Sequence, residues 1–422
     1  MGKSFELLFN AGLFDPPEIQ EYTKIPFEVI NSAEAQSRTL EAARQSLVLL
    51  KNNKQLPLKK GVRLALIGPH AQSTQDLAGN YFEDIGVGTC KGPDCITTIE
   101  QALNSINGQN STTVLACPDR KCASISDTDM AAALAAVDAS DAVVLAMGID
   151  GTIEGKGHDR LDITLPGSQK ALIEKVIQAS KGKPVILVLL NGGTIAIEEI
   201  QNEDISIVEA WYPGSSGGRS IAESLFGVVN RWGKLPFTYY HLNYTKNSDF
   251  TNMNMTYDKN IPGQIGRTYK YLDDEAYAAW PFGFGLSLTT FSLSEPIFSH
   301  RLLDDVSTSS VSITVTNTGH LTGDEVVFLF HNATSVIQAW SLEDPIAKKQ
   351  LVGYERVTLK PGSSTLVKFD ITASKLSVVD RNGTRHSLPG RHRLMFSRGH
   401  GQVFEVEVEL EKRSVVSTMD GY

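Results

Sequence analysis

Long apolar runs and an excess of positive charge are both missing from this 422-residue sequence. No apolar segment approaches the roughly 18–20 residues that a membrane-spanning helix needs, so we expect no membrane partner. Lys and Arg number 39 against 48 Asp and Glu, which gives a formal net charge of -9. This balance argues against nucleic acid or an anionic membrane surface as a partner. The N-terminus also lacks the apolar segment of a signal peptide.

Cysteine is scarce, with 4 residues that form two close pairs in the sequence, Cys90/Cys95 and Cys117/Cys122. A zinc site is the alternative to disulfides, but neither pair has C-x-x-C spacing and no His lies close by. Together with five N-x-S/T sequons, the pairs favour a secreted protein or one of a lysosome-like vesicle. We therefore predict two short-loop disulfides, no metal site and no cofactor, and expect the signal peptide to lie outside this chain. The sequons begin at Asn110, Asn243, Asn254, Asn332 and Asn382.

Short apolar strands alternate with amphipathic helices between residues 60 and 238. RLALIG, TTVLAC, AVVLAMG and PVILVLL indicate strands, whereas ITTIEQALNSI, DMAAALAAVDAS and SQKALIEKVIQAS indicate helices. Continuous apolar strands separated by helices are typical of a parallel sheet that is covered on both faces. We therefore predict an open, mainly parallel α/β sandwich domain over 60–238. Residues 1–59 precede it as a linker, in which Glu34 to Leu50 has helical periodicity.

The remainder of the sequence changes class. Residues 239–285 lose the helical and strand periodicity and indicate a connector. From residue 286 onward, segments such as SSVSITVTNTG and SSTLVKFDITA alternate between apolar and polar residues and are separated by turns such as KPG and RNG. This pattern predicts an all-β domain, an immunoglobulin-like or fibronectin III-like β-sandwich, over 286–412, with a tail at 413–422.

The loop that follows AVVLAM contains the first candidate site. In open α/β sheets ligands bind outside the carboxyl ends of strands, and this loop is longer than most strand-to-helix connections. It carries Asp150, Glu154, Asp159 and Arg160 among glycines. Simpler roles are possible for each: Asp150 can cap a turn, Asp159 and Arg160 can latch the loop, and Glu154 can be solvated. GIDGTIEGKG matches no phosphate-binding pattern, and this disfavours an unrelated nucleotide-binding α/β protein.

An ordered series of motifs resembles family 3 glycoside hydrolases. It includes EAARQSLVLLKNNKQLPL, MGIDGTIEGKGHDRLDITLPGSQ, AWYPGSSGGRSIAESLFG, WPFGFGLSLTTF and VTNTGHLTGDEVVFLF, and it covers nearly the whole chain. The spacing of TIE, DR and LPG-Q resembles the β-xylosidase/α-L-arabinofuranosidase branch. The resemblance implies a (β/α)8 barrel ahead of the two domains, of which this chain carries only the last segment.

The resemblance also assigns roles to residues. The family's general acid/base matches Glu154, and its nucleophile, an Asp on the barrel, lies in a segment that this chain lacks. We expect Asp150, Asp159, Arg160 and His70 to contact substrate. A retaining glycosidase needs two carboxyls about 5–5.5 Å apart, so the expected partners are the missing barrel and an oligosaccharide or glycoside substrate from xylan. The alternative is a catalytically inactive carbohydrate-binding or interaction protein that descends from this family by loss of the barrel.

Overall fold

The chain begins with two helices, α1 (Gly2–Asn10) and α2 (Ala33–Ser46). The side chain of Ser32 accepts a hydrogen bond from the Ala35 N–H and caps α2. The helical periodicity predicted through residue 50 is wrong at its end, because Val48–Lys51 forms strand β1. Successive residues of this short apolar run enter two opposite hydrophobic clusters, which a strand permits and a helix does not. The structure, a computed structural model, describes residues 2–79, 95–304, 306–339, 347–380 and 382–417.

The first domain is built around a six-stranded sheet of the described residues, with strand order β1-β6-β5-β4-β2-β3. Neighbouring strands are parallel except β1, which pairs antiparallel with β6. The predicted open, mainly parallel α/β domain is therefore confirmed, although its first strand precedes residue 60. The remaining strands are β2 (Leu64–Ile67), β3 (Ser111–Val114), β4 (Ala142–Gly148), β5 (Val185–Leu190) and β6 (Ser206–Glu209).

Helices cover both faces of the sheet. These helices are α3 (Gln75–Ala78), α4 (Ile99–Asn107), α5 (Asp127–Ala139), α6 (Gln169–Ser180), α7 (Glu198–Gln201) and α8 (Gly217–Leu225). Val143, Leu145 and Met147 of β4 pack in one cluster with α5 and α6, whereas Val144 and Ala146 pack in the opposite cluster with α4 and α8. Each fully buried aliphatic side chain contributes about 1.5–3 kcal/mol.

The segment predicted as a connector folds back onto this domain. Its ends form an antiparallel pair, β7 (Tyr239–Tyr240) and β8 (Ala278–Trp280), and between them lie α9 (Leu242–Asn247) and α10 (Thr268–Tyr271). The rings of Tyr239 and Trp280 meet edge to face with centroids 5.4 Å apart, within the core of the α/β domain. The connector is thus partly a structural element of the first domain.

The C-terminal region is a β-sandwich, as predicted. One sheet contains β9, β10, β12 and β15, and the other has the order β11-β19-β18-β13-β14. Alternate residues of β12 and β15 are buried between the sheets. The strands are β9 (Phe291–Leu293), β10 (Ile297–Phe298), β11 (Leu302–Leu303), β12 (Thr308–Asn317), β13 (Gly323–Asn332), β14 (Gln350–Leu359), β15 (Ser364–Thr372), β16 (Val378–Val379), β17 (Arg385–Ser387), β18 (Gly390–Ser397), β19 (Val403–Leu410) and β20 (Ser414–Ser417).

Two details depart from the predicted boundaries of this region. Helix α11 (Thr334–Ala339) follows β13, so the region is not purely strands. Strand β20, which falls in the predicted tail, pairs antiparallel with β17 and forms a small sheet with β16. The described part of the tail is therefore ordered by backbone hydrogen bonds.

One of the two predicted disulfides, Cys117–Cys122, is present, with the Cα atoms 5.0 Å apart. Cys90 lies outside the described residues, so its pairing with Cys95 stays a prediction. Four of the five sequon asparagines are exposed, and the fifth, Asn332, is half-buried. Among the described residues, no cluster of three metal-ligating side chains could hold an ion. No helix in the same part of the chain is long and apolar enough to cross a membrane.

Candidate active site

The candidate site is built by three neighbouring strands of the parallel sheet. Strands β4, β5 and β6 lie side by side, and each is followed by a segment that leaves the same edge. The carboxyl ends of parallel strands meet at one edge, so residues distant in sequence come together there. The segment after β4 carries Glu154, the segment after β5 carries Gly192 and Gly193, and the segment after β6 carries Tyr212.

A tight turn presents Glu154 at this edge. The backbone carbonyl of Asp150 accepts hydrogen bonds from the N–H groups of Ile153 and Glu154, each at 3.0 Å. The carboxylate of Asp150 accepts from the backbone N–H of Thr152 at 3.0 Å and from its hydroxyl at 2.6 Å. Asp150 is therefore occupied as the cap of the turn that orients Glu154, a common role for aspartate.

The carboxylate of Glu154 lies in a cradle of hydrogen-bond donors. Its Oε1 accepts hydrogen bonds from the backbone N–H groups of Gly192 and Gly193, the latter at 3.0 Å, and from the hydroxyl of Tyr212 at 3.2 Å. Its Oε2 lies 2.8 Å from Nη2 of Arg160. Every partner donates, so these contacts suit a negatively charged carboxylate. The side chain of Glu154 still keeps 17% of its surface exposed, so a ligand can reach it.

The two glycines are required by the closeness of this approach. A Cβ atom on Gly192 would lie 2.8 Å from Oε1 of Glu154, and one on Gly193 would lie 2.8 Å from Nη2 of Arg160. Real Cβ atoms do not come this close, so any side chain would displace Glu154 or Arg160. The sequence NGGT, Asn191 to Thr194, therefore does more than turn the chain, because its glycines let the backbone contact a carboxylate directly.

Arg160 and Tyr212 bind different oxygens of the Glu154 carboxylate. Nη2 of Arg160 also donates to the carbonyl of Thr194 at 3.0 Å, which ties the loop after β4 to the segment after β5. Burial and the charge of Glu154 raise the pKa of Tyr212, so the phenol stays protonated and remains a donor. A cavity of about 340 Å3 opens beside Arg160 and has aromatic and aliphatic walls that include Tyr240, Tyr244 and Phe250.

Two of the predicted substrate contacts lie apart from this cradle. His70 is fully buried, and its Nδ1 lies 2.9 Å from the carboxylate of Asp76, which also pairs with Arg120 at 2.6 Å. Asp159 is exposed and has no hydrogen bond or ion pair with another described residue. The structure therefore brings Asp150 and Arg160 to Glu154, but neither His70 nor Asp159.

Sequence reasoning missed the residues that hold Glu154 in place. Gly192 and Gly193 were visible as a glycine pair at a strand end, and Tyr212 follows the next strand in the sequence. Their contact with Glu154 depends on the strand order β6-β5-β4, which no single motif encodes. Given that order, three consecutive strand ends with charged, glycine-rich and aromatic residues would have indicated one site.

Two family models match the chain, and they coincide with the two folded regions. The glycosyl hydrolase family 3 C-terminal domain matches residues 47–288, more than half of the chain, and the fibronectin type III-like domain matches residues 325–399. The chain therefore belongs to glycosyl hydrolase family 3, and the resemblance seen in the motifs is confirmed.

Its relatives are glycosidases. The chain is 34% identical over 426 residues to a probable exo-1,4-beta-xylosidase of Neosartorya fischeri, covering 94% of this chain and 51% of that protein. It is 34% identical over 429 residues to beta-D-xylosidase 3 of Arabidopsis thaliana, covering 93% of this chain and 52% of that protein. The chain thus spans about half the length of the curated relatives it matches.

Solved structures agree with this relationship. A family 3 exo-beta-xylosidase in complex with a xylobiose aziridine activity-based probe superposes with a TM-score of 0.81 at 28% identity, covering 97% of this chain and 52% of that one. The beta-glucosidase from Listeria innocua in complex with isofagomine superposes with a TM-score of 0.78 at 25% identity, covering 96% of this chain and 54% of that one. Both share the two-domain fold described above.

Proposed function

We propose that this chain supplies the general acid/base of a retaining exo-β-xylosidase that acts on xylan-derived oligosaccharides. The observation that carries the proposal is Glu154 itself, which matches the family's acid/base position and lies at the ligand-binding edge of the sheet. It is partly exposed and held by Gly192, Gly193, Tyr212 and Arg160. The xylosidases among the relatives supply the substrate class.

The second catalytic carboxyl is proposed to come from a family barrel domain. Two other carboxyl groups of the described chain interact electrostatically with this site. The charge of Asp150 raises the pKa of Tyr212, and the charge of Glu154 raises the pKa of Glu209. Asp150 is bound to Thr152 in the turn, and Glu209 is fully buried, so neither is free to attack a sugar. Glu154 therefore forms half of a catalytic pair.

The proposed reaction proceeds in two steps. A protonated Glu154 gives its proton to the glycosidic oxygen while the barrel carboxylate attacks the anomeric carbon, so the C–O bond breaks and a glycosyl ester forms. The ionised Glu154 then removes a proton from water, which attacks the anomeric carbon and releases the barrel carboxylate. Glu154 keeps 17% of its side chain exposed within the cradle, so the sugar can reach it there. Glycines at 151, 155 and 157 surround it, and Gly157 has a φ of 81°.

The first experiment compares two chains on 4-nitrophenyl β-xyloside. We expect the 422-residue chain to hydrolyse it negligibly, because the nucleophile is outside these residues. A chain that carries the (β/α)8 barrel ahead of residue 1, called the extended chain below, should turn it over readily. Turnover by the 422-residue chain would place a nucleophile within it. Inactivity of a folded extended chain would favour the alternative, a carbohydrate-binding or interaction protein.

We propose that the protein enters the secretory pathway, as a secreted or lysosome-like vesicular glycoprotein. Disulfides persist in oxidising compartments, and the Cys117–Cys122 bridge fits that environment. The four exposed sequon asparagines are accessible to glycosylation. The test is to express the extended chain, together with the leader that its gene encodes, in a eukaryotic host and to treat the product with an enzyme that removes N-linked glycans. A mass that this treatment leaves unchanged would contradict the proposal.

A further inference from the structure

A second glutamate, Glu209, is buried behind the cradle that holds Glu154. It ends β6 and is fully buried, and Asn191, which follows the neighbouring strand β5, is fully buried as well. Oε2 of Glu209 and Oδ1 of Asn191 are both buried oxygens without a hydrogen-bond partner among the described residues. Oxygens of this kind are rare in folded proteins and need an explanation.

A neutral carboxyl on Glu209 fits these surroundings. The side chains of Asn191 and Tyr239 both lie within hydrogen-bonding reach of the Glu209 carboxyl. A protonated carboxyl has an O–H donor as well as acceptor oxygens, so it can accept from these side chains and still offer a proton to a buried oxygen such as Oδ1 of Asn191.

The groups that surround Glu209 agree with a neutral carboxyl. Burial raises its pKa to about 8, against the opposing effect of contacts with the Trp211 N–H, Asn191 and Tyr239. The charge of Glu154 raises this pKa further. Tyr239, which is itself buried and has a raised pKa, contributes no charge near neutral pH.

Asn191 and Glu209 each make a hydrogen bond with a segment that holds Glu154. Nδ2 of Asn191 donates to the carbonyl of Gly193 at 2.8 Å, which closes a short turn around the two peptide units whose N–H groups bind Glu154. Oε1 of Glu209 accepts from the N–H of Trp211 at 3.1 Å, directly before the tyrosine that donates to Glu154. Trp211 has a φ of 57°, a left-handed conformation that a tryptophan rarely adopts and that needs such a restraint.

We propose that Glu209 and Asn191 form a neutral positioning pair that fixes the Gly192–Gly193 amides and the Trp211–Tyr212 segment against the carboxylate of Glu154. Glu209 touches no substrate, so its role is to position the donors of the general acid/base. The catalytic importance of the pair rests on the proposed function of Glu154, whereas the contacts themselves can be tested in the 422-residue chain without any substrate.

The Gly192 N–H can be observed selectively by nuclear magnetic resonance. Asn–Gly occurs three times in the sequence, at residues 107–108, 191–192 and 382–383. Labelling with 13C-carbonyl asparagine and 15N-glycine therefore selects three amide signals. Gly192 reports on the cradle, and Gly108, which caps α4, reports whether the α/β domain is folded. Comparison of the Gly192 shift between the wild type and Glu154→Gln shows how much of it comes from the contact with the Glu154 carboxylate.

Two substitutions of similar size separate positioning from mere bulk. Glu209→Gln keeps a donor and an acceptor, so the Gly192 shift at neutral pH should match the wild type. Glu209→Met keeps the length but has no strong hydrogen bond, so the Gly192 signal should move toward its position in Glu154→Gln while Gly108 is unchanged. An unchanged Gly192 signal in the Met variant would overturn the proposal. A displaced Gly192 signal in the Gln variant would show that Glu209 does not act as a neutral donor.

The wild type provides a measurement that needs no destabilising variant. Raising the pH should ionise Glu209 only well above the ordinary pKa of glutamate, at about 8, and shift the Gly192 signal, and this step should be absent from Glu209→Gln. A Gly192 step near the ordinary glutamate pKa that disappears in Glu209→Gln would show a charged Glu209 and contradict the proposal even if Glu209→Met fails to fold. None of these results depends on glycosidase activity, so failure of the positioning pair and inactivity of the extended chain are distinguishable.

Discussion

Two carboxylates that follow strands of the same sheet each pair with an arginine, yet their surroundings differ. Asp76, on the segment after β2, pairs with Arg120 at 2.6 Å and with the fully buried His70, and only 8% of its side chain is exposed. Glu154, on the loop after β4, pairs with Arg160 at 2.8 Å, and its remaining partners are backbone amides and a phenol. A carboxylate–arginine pair alone therefore does not identify an active site; exposure and a glycine-lined approach do.

The largest expected difference between the two pairs is in stability. Asp76→Asn removes the charge that pairs with Arg120 and turns one of the two carboxylate oxygens into an amide donor beside the buried His70, so the free energy of unfolding should fall by about 3 kcal/mol. Glu154→Gln keeps an acceptor oxygen for the amides of Gly192 and Gly193 and has no buried histidine beside it, so it should cost less, about 1 kcal/mol. Denaturant unfolding of both variants at neutral pH measures the difference, and equal losses would remove the distinction between them.

The pH dependence of stability should separate the same two sites. Burial alone would raise the pKa of Asp76, but hydrogen bonds from His70 and Ser73 and the charges of His70 and Arg120 lower it to about 2, from 3.8. A lowered pKa stabilises the fold above the unfolded value, so about 2 kcal/mol should be lost as the pH falls from about 4 to about 2. Asp76→Asn should lack this loss and Glu154→Gln should retain it. Parallel wild-type and Asp76→Asn curves would contradict the assignment.

Replacing each of the two arginines with lysine should have smaller effects. The Arg160 variant should lose activity, whereas the Arg120 variant should lose stability. Arg160→Lys keeps the charge, but its ammonium does not reproduce the position of Nη2, the atom that donates to both Glu154 and Thr194, so kcat/KM of the extended chain should fall about tenfold, about 1.4 kcal/mol. Its melting temperature should stay near that of the wild type. Arg120→Lys should instead lower the melting temperature by a few degrees, roughly 2–4 °C, with kcat unchanged. If Arg120→Lys lowered kcat/KM and Arg160→Lys lowered the melting temperature instead, the functional role would belong to Arg120.

The sequence predicted the two folds because their signals are local. Apolar runs between amphipathic helices define a parallel sheet, and alternation with turn residues defines a β-sandwich. It failed at residues 48–51, where an apolar run that continues a helical pattern pairs instead with β6, more than 150 residues away. Tertiary pairing decided that segment, and local periodicity could not show it.

The residues of the candidate site also fall into those that the sequence could predict and those that depend on tertiary structure. A motif marks Glu154, but Gly192, Gly193, Tyr212 and Glu209 reach it only through the order of three strands. His70 shows the limit of a motif from the other side, since the family resemblance suggested substrate contact while the structure buries it against Asp76. A sequence shows which chemistry is present at a strand end; burial decides whether a ligand can reach it.

Leaving-group dependence of Glu154→Ala in the extended chain tests the central claim most directly. A general acid contributes typically about 100- to 10,000-fold, so turnover of xylobiose should fall by that order, whereas 4-nitrophenyl β-xyloside should be cleaved with a much smaller loss in the first step. Added azide should accelerate the variant and yield xylosyl azide, because this anion attacks the glycosyl-enzyme without a general base. A variant that matches the wild type on both substrates and does not respond to azide would exclude Glu154 as the acid/base.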